Sequence, residues 1–386
     1  MRWLAVSVFI VSTTLNYLDR QLLSALAPLI MSEFHLNHAQ YGFLVSAFSI
    51  AYAAAALFMG YLLDRVGINR GITIAAACWS AAAASIGLAG SFAGLAVCRA
   101  ALGVGESASV PAVGKLNGIY LLPRERALGA ALNQVGISGG LALAPAFIGL
   151  ALAFGWRVPF VIAGCAGLLW IPLWLAVSRW IPPANPVLIA ERTRPDLRLL
   201  RDRNLLLLVG VNILWMGTYS LWSSWTTLYL IGVYKVTLQQ TASYVWIPPL
   251  IASVGGFFGG WLSYAWISRK NAIMVSAVGT LSTLVLPFAA TPAAATAIIS
   301  ASFFFALAGS VNIYALPIDL YGASRSGLAI SALVLSYGLL QTVISPMIGW
   351  LADLHLYHQV VYLVAIPPLV SCALLARVRL ISGGGL

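Results

Sequence analysis

Apolar runs of about 20 residues follow one another along the whole chain, and this repetition leaves few folds open. Twelve runs can be marked, at roughly 4–31, 41–62, 71–90, 92–119, 127–153, 156–178, 205–231, 241–267, 272–290, 294–318, 325–352 and 357–378. A segment of that length crosses the hydrocarbon of a bilayer as a helix. Without water to satisfy backbone N–H and C=O groups, only helices and closed barrels can span. Barrel strands are shorter and alternate polar with apolar residues, which these runs do not. The expectation is an all-α membrane protein with twelve transmembrane helices in two pseudo-symmetric six-helix bundles. Composition excludes the soluble alternative: 61% of the residues are hydrophobic and 8% are charged.

A net charge of +11 invites a nucleic-acid reading, but the positions of the charges oppose it. With the N-terminus inside, sixteen of the 21 lysines and arginines fall in or beside cytoplasmic segments, and only Arg157 and Lys235 fall outside. That is the positive-inside bias, and it places both termini in the cytoplasm of a multi-pass protein. The bilayer is therefore the expected partner, with no nucleic acid, and a monomer is expected. The first run is too long for a signal peptide and lacks a cleavage site, so it stays as helix 1. The four cysteines all lie in apolar runs without metal-ligand spacing.

The largest polar stretch, 179–204, holds four prolines and six arginines and divides six runs from six. The chain is read as a bundle over 1–178, a cytoplasmic linker over 179–204, a second bundle over 205–380, and a tail over 381–386. A weak internal repeat agrees. Gly60-Tyr-Leu-Leu-Asp64 ends run 2, and Gly260-Trp-Leu-Ser-Tyr264 ends run 8. Duplicated halves around a midplane site are a common transporter plan.

Four charges interrupt the apolar runs: Asp19 and Arg20 in run 1, Arg99 and Glu106 in run 4. A charge at the centre of a spanning helix costs about 2.5–3.5 kcal/mol even on the mildest scale, so such charges are usually functional. Two acids and two bases suggest a site that handles anions and protons. Asp19 and Arg20 point about 100° apart, so one can face a cavity while the other faces a neighbouring helix. Arg99 and Glu106 share a face but stand about 10 Å apart along it, so each needs a partner on another helix. Buried structural ion pairs are the alternative reading for both motifs. Between runs 2 and 3 lies Gly60-x-x-x-Asp64-Arg65-x-Gly67-x-x-Arg70, whose glycines permit a tight turn and which, taken bare, reads as a solvated loop.

With that loop placed directly after the second of twelve spans, the chain resembles the major facilitator superfamily, and the resemblance implies that Gly60, Asp64, Arg65, Gly67 and Arg70 form a gating loop. Within it, the chain is similar to the anion:cation symporters, in particular the hexuronate, galactonate and glucarate branch, whose relatives include sialin and the vesicular glutamate transporters. The matching stretches are Asn16–Gln21, Tyr41-Gly42 with Ser46–Ser49, Arg99–Pro111 with Lys115, Gly155-Trp-Arg157 and Gly259–Ser263. Two basic positions of the loop are replaced by Ile68 and Asn69, and the repeat copy has Tyr264 in place of its acid. The second half departs further, with Trp225-Thr-Thr-Leu-Tyr229 where a Trp-x-Pro-x-Tyr pattern is common.

The resemblance implies a secondary active transporter of the bacterial inner membrane, carrying a small organic anion, such as a hexuronate or aldonate, into the cell with protons by alternating access. It implies that Arg20 binds the substrate carboxylate and that Asp19 and Glu106 couple protons, with Arg99 tuning Glu106. Protons are the coupling ion, and no other cofactor is expected. Further cavity candidates are Tyr17, Tyr52, Asn133, Gln134, Tyr219, Asn312, Tyr314, Ser336, Tyr337 and Gln341, with the stripe Trp222, Trp225 and Tyr229 on helix 7, which should face the central cavity. Packing is the alternative for each aromatic. An exchanger or facilitator for another carboxylate or a phosphorylated sugar is the alternative within transport, and a non-transporting membrane sensor is the alternative outside it. No nucleophile–base pair, metal cluster or nucleotide loop points to an enzyme. The histidines at 35, 38, 355 and 358 read as loop residues, and Asp319 as structural.

Overall fold

The computed structural model describes residues 2–122, 125–182 and 197–379. The centre of the linker and the tail therefore lie outside the described residues. Span 1 is α1 (Arg2–Ala25) continued by α2 (Ala27–Phe34). Pro28 stands in the first turn of α2 and has no N–H to offer the Ser24 carbonyl, so the helix breaks at Leu26. Span 2 is α3 (His38–Val66). It opens with a capping box in which Asn37 and Gln40 satisfy each other's backbone N–H groups. Gly67, at φ 89, turns the chain into span 3, α4 (Ile68–Ile86), in a conformation that a side chain would strain. Span 4 is α5 (Phe92–Glu106) and α6 (Ser109–Tyr120), broken just behind Glu106. Span 5 is α7 (Arg126–Leu143) and α8 (Ala146–Phe154), and span 6 is α9 (Arg157–Trp180).

The second half repeats the plan. Span 7 is α10 (Arg203–Tyr234), whose first N–H groups are capped by the Asp202 carboxylate. Span 8 is α11 (Leu238–Ala242) with α12 (Ile247–Ala265). Span 9 is α13 (Arg269–Thr280), tightening into a 3-10 helix over Leu281–Phe288. Spans 10 and 11 form α14 (Pro292–Asp353), folded back on itself at the non-helical Gly322. Span 12 is α15 (Tyr357–Ala365) and α16 (Pro367–Arg377). Among the described residues nine helices are long and apolar enough to cross a membrane. The three spans that fall short are 1, 3 and 4. Spans 1 and 4 carry the buried charges, and span 3 opens on Asn69 and Arg70.

Within the first half, α4 packs on α9, α3 on α5, and α1 on α7 and α9. Within the second half, α10, α12 and α13 pack on α14, and α10 on α16. The halves meet where α3 lies along span 11, α1 touches α10, and α7 touches α12. The seam is tightest at the end away from the two termini, here the distal end. A Cβ at Gly42 would stand 2.5 Å from the Ser345 carbonyl oxygen, so only glycine permits this approach. Tyr41 Oη and Ser24 Oγ both donate to the Ser224 carbonyl, at 2.7 and 3.0 Å. At the rim, the Asp353 carboxylate accepts from the backbone N–H of His38 at 2.9 Å and of Ala39 at 3.1 Å, and lies 2.7 Å from His38 Nδ1. A residue of one half thus caps a helix of the other, where the helix dipole favours an anion. His38 is the first residue of α3 rather than a loop residue.

Replacing Gly42 with Leu should hold the distal ends of α3 and span 11 apart. Spin labels on the two helices should report a longer distance by pulsed EPR than in the parent protein, and an unchanged distance would show that the seam does not depend on this contact.

Candidate functional site

A cavity of about 360 Å³ lies between the halves. On the first-half side its chemistry is cationic. Arg20 projects from α1 with its Nε 2.5 Å from Glu106 Oε2 on α5 and its Nη2 donating to Asn16 Oδ1 at 3.2 Å. Three rings crowd the same guanidinium. Its Cζ lies 4.6 Å from the Tyr52 centroid, 4.9 Å from Tyr17 and 5.2 Å from Phe48. Ring faces attract a cation without neutralising it, and the attraction grows as water is removed. Arg99 Cζ lies 4.6 Å from the Phe48 centroid, and its Nε and Nη1 have no hydrogen-bond partner.

Glu106 is fully buried, Asp19 is 2% exposed and Arg99 is 3% exposed. The Oε1 of Glu106 and the Oδ1 of Asp19 lack partners. The two acids and two bases sum to zero charge, so the group as a whole avoids the cost that any single buried ion would carry. Arg20 and Arg99 line the cavity, whereas Asp19, one residue from Arg20, turns away from it.

The opposite wall comes from α10 and α14. It carries the hydroxyls of Tyr219, Tyr314 and Tyr337 and the amide of Gln341, set among apolar residues such as Met216 and Leu307. The Tyr219 and Tyr337 rings meet edge to face at 5.7 Å.

The structure brings together Arg20, Arg99, Tyr17, Tyr52, Gln134, Tyr219, Tyr314, Tyr337 and Gln341 from the sequence-derived set. Others sit elsewhere. Asn133 accepts from Thr13 Oγ1 at 2.9 Å and braces span 5 on span 1. Asn312 donates to the Gly259 carbonyl at 2.8 Å, and Ser336 accepts from Asn212 Nδ2 at 2.9 Å. The expectation that Trp222, Trp225 and Tyr229 face the cavity is corrected. Trp222 Nε1 donates to Ser302 at 2.9 Å and Trp225 Nε1 to Ser345 at 3.2 Å, while the Tyr229 ring packs edge-on against Trp222 and Tyr357. A buried indole needs an acceptor, and α14 supplies one for each. The face of α10 that does line the cavity carries Met216, Tyr219 and Ser223, at positions i, i+3 and i+7.

Phe48 and Ser49 also line the cavity and are not among the sequence-derived candidates. Phe48 and Tyr52 are stacked at 5.7 Å, and their i, i+4 spacing was visible in the sequence. Arg65, in the last turn of α3, and Arg70, in the first turn of α4, are exposed, and Gly67 between the helices makes the turn. The side chains at Gly60 and Asp64 lie outside the described residues. Tyr264, at the repeat position, is 91% exposed. Asp319 pairs with Arg269 at 2.7 Å, away from the cavity. Beyond the apolar run of span 1, the Trp156 indole and then Arg157 hold the Glu33 carboxyl below the usual carboxylate range.

A family model for the Major Facilitator Superfamily matches residues 9–317. The hexuronate transporter of Escherichia coli (strain K12) is 26% identical over 92% of this chain and 88% of its own length. The galacturonate transporter of Dickeya chrysanthemi is 26% identical over 78% of this chain and 97% of its own. Among solved structures, a bacterial homologue of the human lysosomal transporter Spinster, in an inward-facing and occupied conformation, aligns with a TM-score of 0.74. It covers 97% of this chain and 96% of its own at 20% identity.

The face assignment on α10 can be checked chemically. With the four native cysteines replaced, Tyr219→Cys should react with a small water-borne thiol reagent, and Trp222→Cys should not. Equal labelling of both would place the stripe back on the cavity.

Proposed function

Because the chain belongs to the Major Facilitator Superfamily and is a membrane transporter rather than an enzyme, we propose that it moves a small organic anion of the sugar-acid type into the cell with protons, by alternating access. The relatives' names support the substrate class, and the observation that carries the mechanism is the pairing of buried Glu106 with Arg20, which lines a cavity between the halves. On this reading Arg20 receives the substrate carboxylate in a charge-assisted bond. The arginine bias of the connecting segments supports cytoplasmic termini, so that the distal end faces outward, in a bacterial inner membrane.

Charge balance supplies the coupling. Asp19, Glu106, Arg20 and Arg99 together carry no net charge. A monoanion added to them leaves one buried negative charge uncompensated, and a proton on Glu106 or Asp19 cancels it. One proton per monoanion makes the loaded carrier neutral, so its movement gains nothing from voltage. Two protons give a net +1, and inward movement then gains about 2.3 kcal/mol per 100 mV of inside-negative potential. The halves rock about the cavity once the loaded form stabilises the closed state more than the states open to one side.

Arg20→Ala should abolish substrate binding, because it removes the anion's partner and leaves Glu106 buried alone. Arg20→Lys should weaken binding by about tenfold, since an ammonium keeps the charge but not the planar fork. Both are read by uptake of D-glucuronate and D-galacturonate into proteoliposomes under a pH gradient. Normal affinity in Arg20→Ala would remove this residue from the site.

Glu106→Gln mimics the protonated acid. It should end uphill, gradient-driven accumulation while leaving exchange with preloaded substrate. Undiminished accumulation in that variant would exclude Glu106 from coupling.

A further inference from the structure

The two guanidiniums that line the cavity, Arg20 and Arg99, both come from the first half. Among the described residues the second-half wall carries no lysine, arginine, aspartate or glutamate. An anion entering this space therefore finds its charge partner on one side only. Whatever the other side recognises is neutral.

Gln341, on span 11, is the polar side chain of that wall with the most hydrogen-bonding capacity left over. It is 2% exposed and lines the cavity. An amide can make four hydrogen bonds, two as donor and two as acceptor. Gln341 Nε2 makes one, of 3.4 Å, to Ser224 Oγ, and Oε1 has no partner. Turning the amide over would leave the nitrogen end bare instead. A hydroxyl group, which both donates and accepts, answers either end. A carboxylate answers only one and would lie without a cation.

The surroundings hold Gln341 in place. Its own carbonyl accepts from Ser46 Oγ of α3 at 3.3 Å, across the seam. Its side-chain partner Ser224 offers its carbonyl to Tyr41 and Ser24 of the first half. The amide is therefore fixed where the halves meet, and its free end is not lost to rotamer freedom.

We infer that Gln341 is a specificity-determining residue that hydrogen-bonds a hydroxyl remote from the substrate's carboxylate, so that the site selects a polyhydroxylated monocarboxylate with its charged end on the first half and its hydroxylated end on the second. The assignment rests on the transport reading of the cavity. A substrate of this kind engages both halves at once. An acid without hydroxyls engages one half alone and leaves the amide unmet.

The test compares D-glucuronate with cyclohexanecarboxylate, which keeps the six-membered ring and the charge and lacks the hydroxyls. Binding to the purified full-length protein is measured by titration calorimetry, for the parent and for Gln341→Met, which keeps the length of the side chain and removes the amide. The expected result is a loss of about 3- to 10-fold in D-glucuronate affinity, the size of one neutral hydrogen bond, with cyclohexanecarboxylate affinity unchanged. The unchanged binding of the second acid also shows that the variant is folded, and Gln341→Leu should give the same ratio. An equal loss for both acids, or no loss for either, overturns the assignment while leaving the transport reading intact. A parent protein that binds neither D-glucuronate nor D-galacturonate overturns both.

Discussion

The contact between Arg20 and Glu106 is the constraint on which the rest of the arrangement hangs. Glu106 is fully buried, and Arg20 is the one described residue that gives it a hydrogen bond. Neither charge would be tolerable alone at that depth. Their pairing ties span 1 to span 4 across 86 residues of sequence, and the second pair of charges, Asp19 and Arg99, sits on the same two spans. The price of this group is visible in the helices that carry it. Both are among the three spans that fall short of an ordinary membrane crossing, and one of them breaks directly behind Glu106.

Charged contacts and neutral contacts divide the molecule differently. Among the described residues, the ion pairs Arg2–Glu125, Arg20–Glu106 and Arg157–Glu33 lie within the first half, and Arg269–Asp319 lies within the second. Among the described residues the seam includes hydrogen bonds to main-chain carbonyls, close glycine contacts at Gly42, Gly338 and Gly349, the edge-to-face pair Tyr41–Trp225 and one rim pair, His38 with Asp353. Strong contacts inside each half and individually weak ones between them suit bodies that move relative to each other while keeping their own shape. The rim pair is partly exposed and capped by backbone N–H groups, so it can be remade without stranding a buried ion.

The fold was legible because its signal is redundant: twelve apolar runs, one polar divider and one arginine bias all say the same thing. The four charges were legible because membrane helices so rarely contain them. What periodicity could not give was the rotation of each helix against its neighbours. The stripe Trp222, Trp225 and Tyr229 does share a face of α10, but the acceptors Ser302 and Ser345 that draw the indoles away from the cavity lie 80 and 120 residues further on. The pairing of His38 with Asp353 spans 315 residues and has no local sign. Phe48 and Ser49 look like many other residues of an apolar run until the arginines and the opposite wall are in place.

If the transport proposal holds, the geometry at Arg20 offers a way to link an anion and a proton that do not touch each other. Glu106 holds Nε, Asn16 holds Nη2, and no described residue bonds Nη1. A guanidinium has two edges, each able to take a carboxylate. An incoming acid can therefore dock on the free edge, displacing only the neutral Asn16, while Glu106 keeps its own. Two carboxylates then share one cation in a space lined by Tyr17, Phe48 and Tyr52, where little water screens them. Like charges so placed repel, and a proton on one of them relieves the repulsion. The substrate itself remains the stronger acid in solution. On the proposed mechanism the proton would therefore go to Glu106 or Asp19, and the substrate would be carried as the anion on Arg20.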